Sequence, residues 1–298
     1  MKVVTGLVLL ICCSSVCGQK NSIIAKNAKI EKVGTGYSFT EGPAVSGEGR
    51  VYFTDQPNDR IYVWEEGKGI SLWAEGTGRS NGLYVDADGQ LVSCADLHNQ
   101  IVRFGKDKKM QVVYEKYDGK QLNGPNDLWI TPKGGIYFTD PYYHRNYWRE
   151  GHAEVQDVRG VYYLSPDGEV IRVIADYKQP NGLVGTPDGK TLYVADINDG
   201  KIWKYDIQPD GTLANKTFFA PHGSDGMTMD NKGNVYLTMG KVWVYSPKGE
   251  LIEEIEVPES ASNGCFGGKK RNILFITART SVYTLKMSVK GVDLNSLP

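Results

Sequence analysis

Val51-Tyr52-Phe53-Thr54-Asp55 is a short β-branched and aromatic run ending on an acid, and variants of it recur along the chain. They are Val92-Ser93-Cys94-Ala95-Asp96, Ile136-Tyr137-Phe138-Thr139-Asp140, Leu192-Tyr193-Val194-Ala195-Asp196, Val235-Tyr236-Leu237-Thr238-Met239 and Leu274-Phe275-Ile276-Thr277-Ala278. Turns rich in Gly, Asp and Lys precede them, as in Asp88-Gly89, Lys133-Gly134-Gly135, Asp188-Gly189 and Lys232-Gly233, which is hairpin chemistry. Aromatic strands follow, such as Ile61-Tyr62-Val63-Trp64, Val161-Tyr162-Tyr163, Ile202-Trp203-Lys204-Tyr205 and Val242-Trp243-Val244-Tyr245. Each unit thus reads as a meander of about four strands, repeated six times. Successive runs end 41, 44, 56, 43 and 39 positions apart. Four-stranded units of ~40 to 45 residues build a β-propeller, so an all-β, six-bladed propeller of antiparallel blades is expected. The carboxyl end leaves the sixth blade one strand short, and Ala28-Lys29-Ile30-Glu31-Lys32-Val33 is the spare strand predicted to pair with it. Closing the ring in this way removes exposed sheet edges.

Composition agrees with a turn-rich β protein. Of 298 residues, 40% are hydrophobic and 23% charged, and 34 basic residues against 35 acidic ones leave a net charge of -1. That balance excludes wholesale disorder and provides no basic excess for a phosphate backbone, so no nucleic-acid partner is expected. Lys2, the apolar run Val3 to Cys13 and the small residues Ser14, Ser15, Cys17 and Gly18 have the pattern of a secretory signal peptide. Residues 1–18 are therefore predicted to be a leader and 19–298 the propeller, exported to the periplasm or secreted. The apolar run is shorter than the ~20 residues a spanning helix needs, so no membrane span is expected. Three of the five cysteines lie in the leader, leaving Cys94 and Cys265. A disulfide is permitted in an exported protein, but two buried thiols are the expectation.

The repeats open on Glu41-Gly42-Pro43, Asn81-Gly82-Leu83, Asn126-Asp127-Leu128, Asn181-Gly182-Leu183, Asp225-Gly226-Met227 and Asn263-Gly264-Cys265. Singly, Asn-Gly and Asp-Gly are turn signals. In phase, they place six oxygen-bearing side chains around one mouth of the central channel. Burying Glu41 and Asp225 there is costly without compensation, and a divalent cation would supply it. An all-oxygen donor set without a Cys/His cluster favours a hard ion, calcium above all, with Zn²⁺, Mn²⁺ or Mg²⁺ as other candidates. Calcium takes ~6 to 8 oxygens, so waters or substrate would complete the shell, as in a catalytic metal site. A metal that only staples the blades is the alternative.

Strand direction puts the connections after Asp55, Asp96, Asp140 and Asp196 on the same face as the ring. The third is enlarged from Pro141 to about Arg159 and carries Tyr142, Tyr143, His144, Arg145, Tyr147, Trp148, Arg149 and His152. A long aromatic and basic loop there suits a lid or specificity loop, with packing on a neighbouring blade as the alternative. His98 in the equivalent loop of the second blade and His222 before Asp225 are further candidates. The four acids themselves are expected to cap turns.

At Glu41-Gly42-Pro43, Asn123-Gly124-Pro125-Asn126-Asp127, Pro180-Asn181-Gly182-Leu183 and Ser224-Asp225-Gly226-Met227 the chain resembles the gluconolactonase, regucalcin (senescence marker protein) and luciferin-regenerating enzyme family. The resemblance runs from about residue 35 to 285. It implies a calcium-dependent propeller that hydrolyses sugar lactones, with metal ligands on Glu41, Asn181 and Asp225, and with Asn126 against substrate or water. Animal members carry Arg where Gly124 stands, so the Asn-Gly-Pro-Asn-Asp form looks more like the bacterial gluconolactonases. Asn123, His98, Tyr142, His144 and Arg145 complete the candidate substrate-binding set. Asp225 is the expected general base, and Glu41 is the other candidate. A small lactone is the expected partner, and a monomer or weak dimer the expected assembly. Another ester class, such as a non-sugar lactone or phosphotriester, and a non-catalytic binding propeller remain the competing functions.

Overall fold

Each repeat folds into a four-stranded antiparallel blade, and six blades form the molecule. This is a computed structural model that describes residues 22–148 and 153–292. The expected leader, and Arg149 and His152 of the long loop, lie outside the described residues. The innermost strands are Thr40–Val45, Ser80–Val85, Leu128–Ile130, Pro180–Gly185, Met227–Met229 and Ala261–Gly267. The recurring runs are the second strands: Val51–Asp55, Leu91–Ala95, Ile136–Asp140, Thr191–Asp196, Val235–Met239 and Ile273–Ala278.

Blade stacking explains why these runs are nearly continuous in apolar residues. A second strand has a neighbouring blade on each face, so every residue of Ile136–Asp140 and of Ile273–Ala278 is buried. Outer strands lose that cover, and Met110–Tyr114 alternates little and is largely exposed. Aromatic rings fill the seams between blades. Phe53 of the first blade meets Phe275 of the sixth with centroids 5.5 Å apart, and Tyr236 of the fifth meets Phe266 edge-on at 5.2 Å.

Glu31–Thr35 pairs antiparallel with Ser281–Lys286 and becomes the outermost strand of the sixth blade. The expected closing strand is therefore present, displaced slightly toward the carboxyl side. Glu259 holds it in place. Its carboxylate accepts from Thr280 N at 3.0 Å, Thr280 Oγ1 at 2.9 Å and Tyr283 Oη at 2.8 Å, and also from Ser281 Oγ and Lys32 Nζ. Cys94 and Cys265 are buried free thiols, as expected. Among the described residues no helix is long and apolar enough to cross a membrane.

Candidate active site

The Asn-Gly and Asp-Gly pairs are not hairpin turns. In the first, second, fourth and sixth blades they lie inside the innermost strand, where the pairing register slips: between Glu41 and Ala44, Ser80 and Leu83, Pro180 and Leu183, and Ala261 and Asn263. In the third and fifth blades the ladder starts only after the pair, at Leu128 and Met227. A bulge of this kind re-aims one side chain, and the four slips and two late starts bring Glu41, Asn81, Asn126 and Asp225 to one cavity. The following glycine gives the neighbouring blade room. A Cβ on Gly226 would stand 1.9 Å from Asn263 Cγ, and one on Gly42, whose φ is +47°, would stand 2.0 Å from the Asn81 carbonyl oxygen.

Glu41, Asn81, Asn126 and Asp225 line one cavity of about 240 Å³ together with Phe39, Ile197, Tyr143 and Arg145. Glu41 Oε2 accepts from Gly42 N at 2.6 Å and Asn263 Nδ2 at 3.0 Å. Asn181 Nδ2 donates to Asp225 Oδ1 at 2.9 Å and to Tyr143 Oη at 2.8 Å. Burial pushes the Glu41 carboxyl well above its ordinary range, and the Asp225 charge adds to this. Burial also raises Asp225 to about 6, against the Asn181 hydrogen bond and the Arg145 charge, which pull it down. Asp127 is raised to about 7, again mainly by burial. Crowded buried acids of this kind need a counter-charge.

The donors suit a hard cation. Asn181 Oδ1 is buried and has no hydrogen-bond partner among the described residues, an orphaned amide oxygen on the side chain that bonds Asp225. Among those residues no cluster of three or more His, Cys, Asp or Glu side chains is arranged to bind metal. The set here instead mixes two carboxylates with amide oxygens, which suits calcium better than zinc.

One wall of the cavity comes from Tyr143 and Arg145, within the segment 142–148. Arg145 Nε meets Asp96 Oδ2 at 2.6 Å, and the same oxygen accepts from Tyr147 Oη at 2.6 Å and Gln56 Nε2 at 2.8 Å. Trp148 Nε1 donates to the Asp96 carbonyl at 2.9 Å, and the Arg79 guanidinium lies 4.1 Å from the Tyr147 ring centroid. The segment thus both lines the cavity and packs on the second blade, which joins the two expectations for it.

The SMP-30/gluconolactonase/LRE-like region family matches residues 39–280, which spans the ring, the first five blades and the two inner strands of the sixth. The chain belongs to this family. It is 28% identical to the gluconolactonase of Zymomonas mobilis over 302 aligned positions, covering 91% of this chain and 85% of that protein. A solved gluconolactonase from Xanthomonas campestris superposes with a TM-score of 0.82 at 29% identity, covering 89% of this chain and 91% of that one. Regucalcin from Agrobacterium tumefaciens, named as a calcium-binding protein, superposes at 0.74 with 18% identity, covering 89% and 96%, and shares the fold.

Within this gluconolactonase-family chain the sequence-derived candidates divide. Glu41, Asn126, Asn181, Asp225 and Arg145 come together at the ring. Asn123, His98, Tyr142 and His144 are not among the lining residues. Asn123 is buried and its side chain is used elsewhere, Oδ1 accepting from Val155 N and Gln156 N and Nδ2 donating to Val158 O. His98 and His144 are exposed, and Tyr142 tilts against Trp148 with its carbonyl taken by Gln179. From this stretch Tyr143 and Arg145 line the cavity, whereas Tyr142 and His144 do not. His222 stacks on Trp243 at 4.1 Å and bonds Tyr245. Phe39 and Ile197 were missed, because no local signal separates an inward aromatic or apolar residue from a core one, and Tyr143 was marked only as a member of the long loop.

Proposed function

We propose that the protein is an exported, calcium-dependent lactonase that hydrolyses sugar lactones of the aldonolactone class. The observation that carries this reading is the pairing of buried Glu41 and Asp225 with Asn181 at one mouth of the channel, where one amide oxygen has no partner among the described residues. Family membership and the activities named for the Zymomonas and Xanthomonas relatives support the substrate class. The leader pattern at residues 1–18 supports export.

Glu41, Asn181 and Asp225 would hold the ion. When bound, it supplies Lewis-acid stabilisation of negative charge on a carbonyl oxygen and acidifies water. The chain's own groups do the rest. Asn181 fixes Asp225 through Oδ1, so Oδ2 is the oxygen that takes the proton from the attacking water. Asn263 and Gly42 orient Glu41. Phe39 and Ile197 exclude solvent from one side of the lactone, and Tyr143 and Arg145 contact its hydroxyls.

A pH-stat screen of aldonolactones with the chelated enzyme, alone and after addition of calcium, manganese or zinc, tests the reading. Turnover should be absent after exhaustive chelation and return with calcium, together with a rise in thermal stability from ligand binding. Full activity of the chelated protein would remove the metal from the mechanism. No turnover of any lactone with any ion would reject the lactonase itself.

A further inference from the structure

The acids that end the second strands share a structural duty, with one exception. Asp55 Oδ1 accepts from the Ser38 and Phe39 amides, the Asp140 carboxylate from those of Asn123 and Gly124, and the Asp196 carboxylate from those of Lys178 and Gln179. Each bond pair ties down the segment that enters the blade's own innermost strand. In the second blade that duty falls to Asp59, from the preceding connection, whose Oδ1 accepts from Thr77 N at 2.8 Å and Arg79 N at 2.6 Å. The Asp96 carboxylate is turned instead to the segment that walls the cavity, where Oδ2 gathers Arg145, Tyr147 and Gln56.

Asp96 is only 2% exposed and Arg145 24%. Charge-assisted bonds at such a site are stronger than neutral ones, and a buried acid without them would be costly. The carboxylate and its own carbonyl reach three side chains within four residues, Arg145, Tyr147 and Trp148. Two of the cavity's walls, Tyr143 and Arg145, belong to this stretch.

We infer that Asp96 is a positioning residue that latches residues 143–148 over the acid ring and so sets how tightly a substrate is held, without touching the substrate itself. The kinetic part of this inference rests on the lactonase reading. The latch itself does not. Replacing Asp96 lets the Arg145 and Tyr143 side chains leave the geometry they hold, so ground-state and transition-state binding weaken together and the loss falls on KM rather than kcat.

The experiment compares the whole wild-type chain with Asp96→Asn, Arg145→Gln and the double variant. Asp96→Asn should raise KM about tenfold or more while kcat stays within about threefold. Tryptic cleavage after Arg145, followed by mass spectrometry, should accelerate about tenfold with little change in the midpoint of thermal unfolding, as local opening predicts. In the Arg145→Gln background, adding Asp96→Asn should cost less than about threefold more, because the two act through one contact. Should Asp96→Asn fail to fold, Tyr147→Phe removes one donor and keeps the ion pair, and it should shift KM and cleavage in the same direction by a smaller factor. A fall in kcat at unchanged KM, additive effects or an unaltered cleavage rate would each overturn the latch. If the wild type turns over no lactone, the proposed function fails while the cleavage comparison still decides the role of Asp96.

Discussion

Asp225 and Asn181 share one hydrogen bond but differ in what they can do chemically. Asp225→Asn keeps an oxygen of nearly the same reach and volume while removing a charge and the proposed base, so at saturating calcium turnover should fall by ~10² to 10⁴. Its metal-free form should be more stable than metal-free wild type, because Glu41 then has one less acid to repel it. Asn181→Asp adds a charge at a donor position, and should tighten calcium binding with the smaller loss of rate. Initial rates on a titration of calcium separate a weakened site from a lost base. Equal, mild losses in both variants would move the base to Glu41. The same scale explains Gly42, Gly82, Gly182 and Gly226, which are set by the approach of the next blade and not by a turn.

Glu259 is the corresponding point at the level of strands, since its carboxylate ties Lys32 of the closing strand to Thr280, Ser281 and Tyr283. Burial works to raise its pKa, but the hydrogen bonds from Ser281, Tyr283 and Thr280 prevail and hold it at about 2. A carboxyl held below its unfolded value contributes stability above about pH 4.5, and that contribution is lost as pH falls toward 2. Glu259→Gln should therefore cost on the order of 1–3 kcal/mol at pH 7. The gap between variant and wild type should close on acidification through that window. Urea midpoints at pH 7, 4 and 3 measure it, and a gap that stays constant would mean the carboxylate charge plays no part. The irregular start of each innermost strand belongs to the same scale, because it is the slip in register that aims Glu41 and Asn181 into the channel.

For the whole molecule, the five residues Glu31–Thr35 are what close the ring. Deleting residues 22–35 would leave Ser281–Lys286 as an open edge, which invites pairing with other chains. The truncated protein should unfold more than about 5 °C lower than the parent, and light scattering should show it self-associating. A monomeric truncation with unchanged unfolding would show that closure contributes little. The repeat itself, the blade count and this closure were legible from the sequence, because burial between stacked blades imposes the same apolar run on every second strand. The six ring positions were legible for a related reason, six copies in phase putting chemically similar residues at one radius, whereas singling out Glu41, Asn181 and Asp225 among them rested on the family resemblance. The cavity wall was not legible. Tyr143, Phe39, Ile197 and the alliance of Asp96 with Arg145 and Tyr147 join residues from different blades. No period along the chain marks them, since a unique insertion has no second copy to be compared with. By itself the sequence determined the ring and the acids it carries, through periodic burial. The tertiary structure alone decided which side chains line the cavity at the ring, because that depends on how one non-repeating loop packs across two blades.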